Sequence, residues 1–222
     1  MAKLTFYYDV VSPYSWFGFA VVNRYREIWK NVAIDLQPMY LGGVMKASGN
    51  KPPATNPAKG QYMASDLPRN RLLYGLSKDI IFPTNFPSNS INVQRLLTVL
   101  KLERPEYLVP ASVALWEGYW GNDLDFTPEN VVKVLQPVLK DDTLSLLQKC
   151  SDPTIKEELT NTTEKAIAAG AFGAPWIVCE RDSDNGVETS VFFGSDRFEA
   201  IAMWLNQPYY GVRPNVSKVS KL

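Results

Sequence analysis

The sequence predicts an α/β fold in which a βαβ unit and a ββα unit belong to one sheet and are separated by a long helical insertion. Three observations predict it. The first 40 residues run strand, helix, strand by their apolar periodicity. Residues 59–169 carry almost only helical periodicity. Two strand-like runs joined by strong turn chemistry return after Pro175 and precede one last helix.

Lys3 to Val10 is an apolar run of strand length. Tyr14 to Trp29 reads as a helix, because Phe17, Val21, Tyr25 and Trp29 recur at four-residue spacing. Pro13 suits its start, where proline lacks only an N–H that would be unpaired anyway. Val32 to Tyr40 alternates through Val32, Ile34 and Leu36 before Met39, the period of a strand. A βαβ unit implies parallel strands and a right-handed crossover. Leu41 to Ser48 reads as a short helix ended by Gly49-Asn50. Lys51-Pro52-Pro53 to Pro57 excludes regular helix and marks the exit from the sheet domain.

In the insertion, Asn92 to Lys101 and Glu106 to Trp120 repeat apolar residues every three or four positions. Thr127 caps a helix with Pro128 at its first position. Asp152-Pro153 opens another that runs through Leu159 to Ala169, and Phe82 to Pro87 reads as an extended loop. Trp176 to Glu180 is a short strand, Asp182-Ser183-Asp184-Asn185-Gly186 a turn, and Val187 to Phe193 its hairpin partner. Gly194-Ser195-Asp196 then caps a final helix from Arg197 to Asn206. The domains that follow are a split sheet domain, 1–58 and 170–222, and an inserted helical domain, 59–169. This is the order of a thioredoxin-like fold with a helical domain between its halves.

Composition narrows the chemistry. The chain has 222 residues, 45% of them apolar, with 6 Trp, 11 Tyr and 10 Phe to build a core. Lys and Arg number 23 and Asp and Glu 23, so no basic excess points to nucleic acid. No apolar run is long enough to span a bilayer, and the start lacks the basic and apolar regions of a signal peptide. Cys150 and Cys179 form neither a Cys-x-x-Cys pair nor metal spacing. They are expected as reduced intracellular thiols, Cys150 at a helix end and Cys179 in a buried strand. Histidine is absent, which excludes a Ser-His-Asp triad, a histidine base and a histidine zinc site. No metal is expected. Any chemistry must use hydroxyls, carboxylates, lysine, backbone dipoles or the substrate itself.

The stretch that carries chemistry is Ser12-Pro13-Tyr14-Ser15-Trp16, where a buried strand turns into a helix. A helix N-terminus gathers unpaired N–H groups and partial positive charge. Thioredoxin-like redox proteins place a Cys-x-x-Cys pair there, and here both positions are serine. Together with Ser48-Gly49-Asn50-Lys51-Pro52-Pro53, Gly170-Ala171-Phe172-Gly173-Ala174-Pro175 and Phe193-Gly194-Ser195-Asp196-Arg197, this segment resembles the kappa-class glutathione transferases, over essentially the whole chain and in the same order. The glutathione-dependent 2-hydroxychromene-2-carboxylate isomerases share much of the pattern. Disulfide oxidoreductases of the DsbA type share the fold but need the missing cysteines.

The resemblance implies a glutathione transferase with Ser12 as catalytic residue, hydrogen-bonded to the glutathione sulfur and flanked by Pro13 and Tyr14. The backbone of Ala174, before a cis Pro175, would pair with the cysteinyl backbone. Ser195 would receive the γ-glutamyl carboxylate and Asp196 its ammonium. Asn50 and Lys59 match positions near the tripeptide, Lys59 for the glycine carboxylate, while Asp66 and Arg197 would reach glutathione across a dimer interface. No cofactor is implied; glutathione is a cosubstrate, the acceptor a small hydrophobic electrophile, and the assembly a homodimer. A glutathione-dependent cis–trans isomerase, or a non-catalytic lipid- or partner-binding protein on the same fold, are the alternatives. Ser220-Lys221-Leu222 matches the tripeptide read by the peroxisomal import receptor. Peroxisomal location is therefore expected, with the mitochondrion as the other compartment that the resemblance suggests.

Overall fold

One of the two inner strands of the sheet is β1 (Ala2–Tyr8), whose residues from Leu4 onward are all buried. The computed structural model describes residues 2–215, so Ser220-Lys221-Leu222 lies outside the described residues. β1 pairs in parallel with β2 (Val32–Pro38) and antiparallel with β3 (Trp176–Ser183), which pairs with β4 (Gly186–Phe193). The order is β2-β1-β3-β4, so the two ends of the sequence form one mixed sheet. Leu4 stands opposite Ile34 on one side and Cys179 on the other. The hairpin loop shrinks to Asp184-Asn185, because Ser183 already pairs with Gly186 at φ 109°, a backbone region that suits glycine.

α1 (Pro13–Tyr25) connects β1 to β2, and α2 (Leu41–Ser48) follows β2 and ends at Gly49 in the left-handed region. The insertion supplies α3 (Pro57–Tyr74), α4 (Ile91–Glu103), α5 (Leu108–Asn122), α6 (Pro128–Leu139), α7 (Thr143–Lys149) and α8 (Pro153–Ala168). α9 (Phe198–Trp204) is the last helix among the described residues.

Three elements differ from expectation. α1 stops at Tyr25 instead of Trp29. The Tyr25 carbonyl takes both the Ile28 and Trp29 amides, at 2.9 and 2.8 Å, and tightens the chain into a turn. Trp29 is then fully buried and its Nε1 donates to the Pro208 carbonyl at 2.8 Å. Its place in the four-residue spacing thus reflects a contact with the C-terminal segment. α7 is too short for its periodicity to be read. The last helix begins at Phe198, with Arg197 as a cap that makes no side-chain bond. Gly194, Ser195 and Asp196 form a turn ahead of it, contrary to the capping role expected of them.

The insertion is fastened to the sheet through the start of α1. Trp116 of α5 donates to the Ser12 carbonyl at 3.0 Å, and Trp120 to the Val11 carbonyl at 3.3 Å. Trp116 also lies parallel to Trp16, with ring planes 2° apart, and packs on Phe19 at 4.9 Å. Aromatic contacts of this kind add to the area they bury. Gln94 of α4 is fully buried and donates to the carbonyls of Tyr8 and Met39 at 2.9 and 2.7 Å, the ends of β1 and β2.

Candidate active site

Ser12 is the N-cap of α1, with extended backbone at φ −90° and ψ 118°. Its Oγ accepts the Ser15 amide at 3.1 Å, one of the unpaired donors of the first turn. The same hydroxyl donates to the Ala174 carbonyl at 3.3 Å. That bond is long for an O–H donor, so turning the proton toward a ligand anion costs little. The next position is different. Ser15 is fully buried and its Oγ finds no partner among the described residues.

The Ala174–Pro175 peptide is cis. Pro175 comes so close to α1 that a Cβ on Gly18 would stand 3.3 Å from its Cγ and 3.1 Å from the Phe6 ring. Only a glycine lets helix, strand and proline loop meet there without displacement.

Around Ser12 opens a cleft of about 790 Å³. Ser12, Pro13, Tyr14, Asn50, Ala174, Ser195 and Asp196 all line it. Asp66 and Arg197 line the same cleft, within their own chain. Asp66 accepts from Tyr14 at 3.2 Å, from Tyr62 at 3.2 Å and from Asn70 at 2.8 Å. Burial and the Asp66 charge hold the Tyr14 phenol above its ordinary pKa, so Tyr14 stays a neutral donor. Asn50 donates to the Phe172 carbonyl at 2.7 Å and joins the segment after α2 to the one before β3. Asp196 pairs with Arg197 at 2.5 Å. Lys59 is apart from this group: it sits exposed in the first turn of α3 and does not line the cleft. Pro175 lies behind the lining. Another part of the wall is apolar, with Leu41, Met45, Phe86 and Pro87. No cluster able to hold a metal ion occurs among the described residues.

The sequence reading missed Asp9, which does not line the cleft but binds three residues that do. It is fully buried at the end of β1 and accepts from Val11, Leu41 and Ser90 at 3.0, 2.9 and 2.7 Å. A carboxylate closing an otherwise apolar strand was the signal. Burial pushes its pKa up to about 6, against the three hydrogen bonds that pull it down. An unfolded chain releases this proton nearer the ordinary value of 3.8, so the raised folded value stabilises at low pH and that contribution is lost on the way up through 6. The loss amounts to about 3 kcal/mol. Denaturant unfolding of the wild type and of Asp9→Asn between pH 4 and 7 is expected to show that fall in the wild type only. Parallel curves would mean that Asp9 is charged at no cost.

Comparisons with known proteins establish the family. The model of the DSBA-like thioredoxin domain family matches residues 3–206. Glutathione S-transferase kappa 1 of Homo sapiens is 40% identical over 216 residues, covering 94% of this chain and 92% of that protein. Its counterpart from Rattus norvegicus is 36% identical, covering 95% and 94%. Among solved structures, a 2-hydroxychromene-2-carboxylate isomerase superposes with a TM-score of 0.69 at 22% identity, over 92% of this chain and 94% of the other. That likeness speaks for the fold alone. With a DSBA-like thioredoxin fold that carries serine in place of both redox cysteines, the chain belongs to the kappa-class glutathione transferase family.

Proposed function

We propose that the protein binds glutathione in the cleft, stabilises its thiolate with the Ser12 hydroxyl, and transfers it to a small hydrophobic electrophile. The observation that carries this reading is the Ser12 hydroxyl itself: it caps a helix, lines the cleft and spends its proton on only a 3.3 Å bond. A free thiol with a pKa of about 8.5 is mostly protonated at neutral pH, and only the thiolate attacks. A hydroxyl donor and the positive end of α1 both favour the anion. No histidine base is needed, because the thiol proton can leave to solvent. With an aryl halide the sulfur–carbon bond forms, the carbon–halogen bond breaks and halide departs.

Asn50, the Ala174 backbone, Ser195 and Asp196 hold the tripeptide in this reading, with Asp66 and Arg197 at its edge. Asp196→Asn is expected to weaken glutathione binding roughly two- to fivefold, the range of an exposed ion pair. The pKa of the bound thiol should not move. Titration calorimetry giving wild-type affinity would reduce Asp196 to the partner of Arg197. A homodimer, peroxisomal location through Ser220-Lys221-Leu222 and the absence of a cofactor are parts of the same proposal.

Thiol–disulfide exchange is expected to be absent despite the fold. Ser12 and Ser15 replace the thiols, and burial pushes Cys150 up to about 11 and Cys179 up to about 12, which leaves neither as thiolate. Insulin reduction by dithiothreitol should proceed at the uncatalysed rate; clear acceleration would contradict it. The experiment that tests transfer is a substrate panel with glutathione: conjugation of a halogenated nitroaromatic, set against isomerisation of a hydroxychromene carboxylate. Turnover of the second alone would replace transfer by addition and elimination of the thiolate.

A further inference from the structure

Asp9 is the single charged side chain among the buried residues described, and the chemistry above does not use it. It faces no cation. Around it stand the Val11 and Leu41 amides, the Ser90 hydroxyl and, from its own strand, the Tyr8 phenol, which in turn feels Arg26. Such a carboxylate is a poor device for stability alone, since a well-packed apolar side chain would avoid its desolvation.

What it does achieve is geometric. Oδ1 takes the Val11 amide, and the Asp9 carbonyl takes the Ser12 amide at 3.0 Å. Both fix the turn that carries the catalytic hydroxyl. Oδ2 takes the Leu41 amide at the start of α2 and the Ser90 hydroxyl at the start of α4. Leu41 and Ser90 both line the cleft, next to Tyr40 and Asn89, whose side chains stand 3.5 Å apart. One carboxylate thus holds three cleft segments, two of them brought from 32 and 81 residues away. We propose that Asp9 is a positioning residue for transfer, locking the Ser12 turn to the start of α2 and the loop before α4, the walls that would face the electrophile. This rests on the transferase reading above.

Asparagine cannot take over. With its oxygen toward Leu41 and Ser90, its NH₂ meets the Val11 N–H; reversed, the NH₂ meets the Leu41 N–H. Ser90 can rotate its hydroxyl, but a backbone amide cannot.

The test compares the wild type with Asp9→Asn and Ser90→Ala. Amide hydrogen exchange reads the positioning directly. In Asp9→Asn, exchange at Val11 or Leu41 should rise at least about tenfold, with Leu4 and Ile177 in the strands unchanged. Steady-state kinetics with glutathione and an aryl halide read its effect. kcat/KM for the electrophile should fall about ten- to hundred-fold, the scale of a small misplacement of reacting groups. Glutathione affinity by calorimetry should stay within about threefold. Wild-type exchange at both amides, or wild-type kcat/KM, would overturn the proposal. So would uniform loss of protection through β1 and α1 with a matching loss of glutathione affinity, which would make Asp9 a stability element only. If Asp9→Asn does not fold, Ser90→Ala, which removes one donor and no charge, should still lower kcat/KM about three- to tenfold at unchanged glutathione affinity; no change would overturn it. A wild type without conjugation activity would contradict the transferase reading, and the exchange data would then decide the positioning claim alone.

Discussion

Replacing Ser12 by alanine is expected to leave glutathione bound and make it roughly ten- to hundred-fold less reactive, the loss of one charge-assisted hydrogen bond. The tripeptide keeps Asn50, the Ala174 backbone, Ser195 and Asp196, all of which line the cleft. The helix also loses its cap, since the Ser15 amide no longer has Oγ to donate to. That costs about 1 kcal/mol of stability, too little to unfold a core of this aromatic content. The kinetics should therefore split: kcat falls while the glutathione dissociation constant hardly moves. Equal losses in both would place Ser12 among the binding contacts and remove it from activation.

Gln94→Leu is expected to have the largest effect on stability. The side chain is fully buried and serves three backbone groups, donating to Tyr8 and Met39 and accepting from Val10 at 3.4 Å. Leucine fills the space but leaves the Met39 carbonyl and the Val10 amide unpaired in the core, at about 1–3 kcal/mol for each buried orphan, while the Tyr8 carbonyl keeps the Met39 amide at 2.9 Å. A loss of about 3 kcal/mol or more is predicted by denaturant unfolding with an unchanged slope. A loss under about 1 kcal/mol would mean that the sheet end finds other partners.

These two residues show what a sequence can and cannot disclose. Ser12 was legible because its signal is local: an apolar strand, a polar turn and Pro13 at the head of a helix lie within a few residues. The sheet halves were legible for the same reason, as periodicity and turn chemistry are short-range. Gln94 and Asp9 work through partners 86 and 81 residues away; Asp9 does interrupt an apolar run, but nothing local to either residue shows what it holds. Asn50 was legible as part of a motif, yet its bond to the Phe172 carbonyl, 122 residues on, was not. Trp29 shows the opposite failure. Its spacing fits α1, but the contact that buries it belongs to Pro208, so tertiary packing imitated helical periodicity. Ser195 and Asp196 combine turn and capping residues that serve equally before or within a helix start. The β4 hairpin settled that choice by carrying the chain through Gly194 into the cleft before α9 begins.

The central claim is that Ser12 makes glutathione a thiolate at neutral pH, and one titration tests it. The ultraviolet absorbance of the thiolate is followed against pH for glutathione bound to the wild type and to Ser12→Ala. The bound thiol should titrate at least about one unit below the free value of about 8.5 in the wild type, and about one to two units higher in the variant. The same pKa in both proteins would contradict the account.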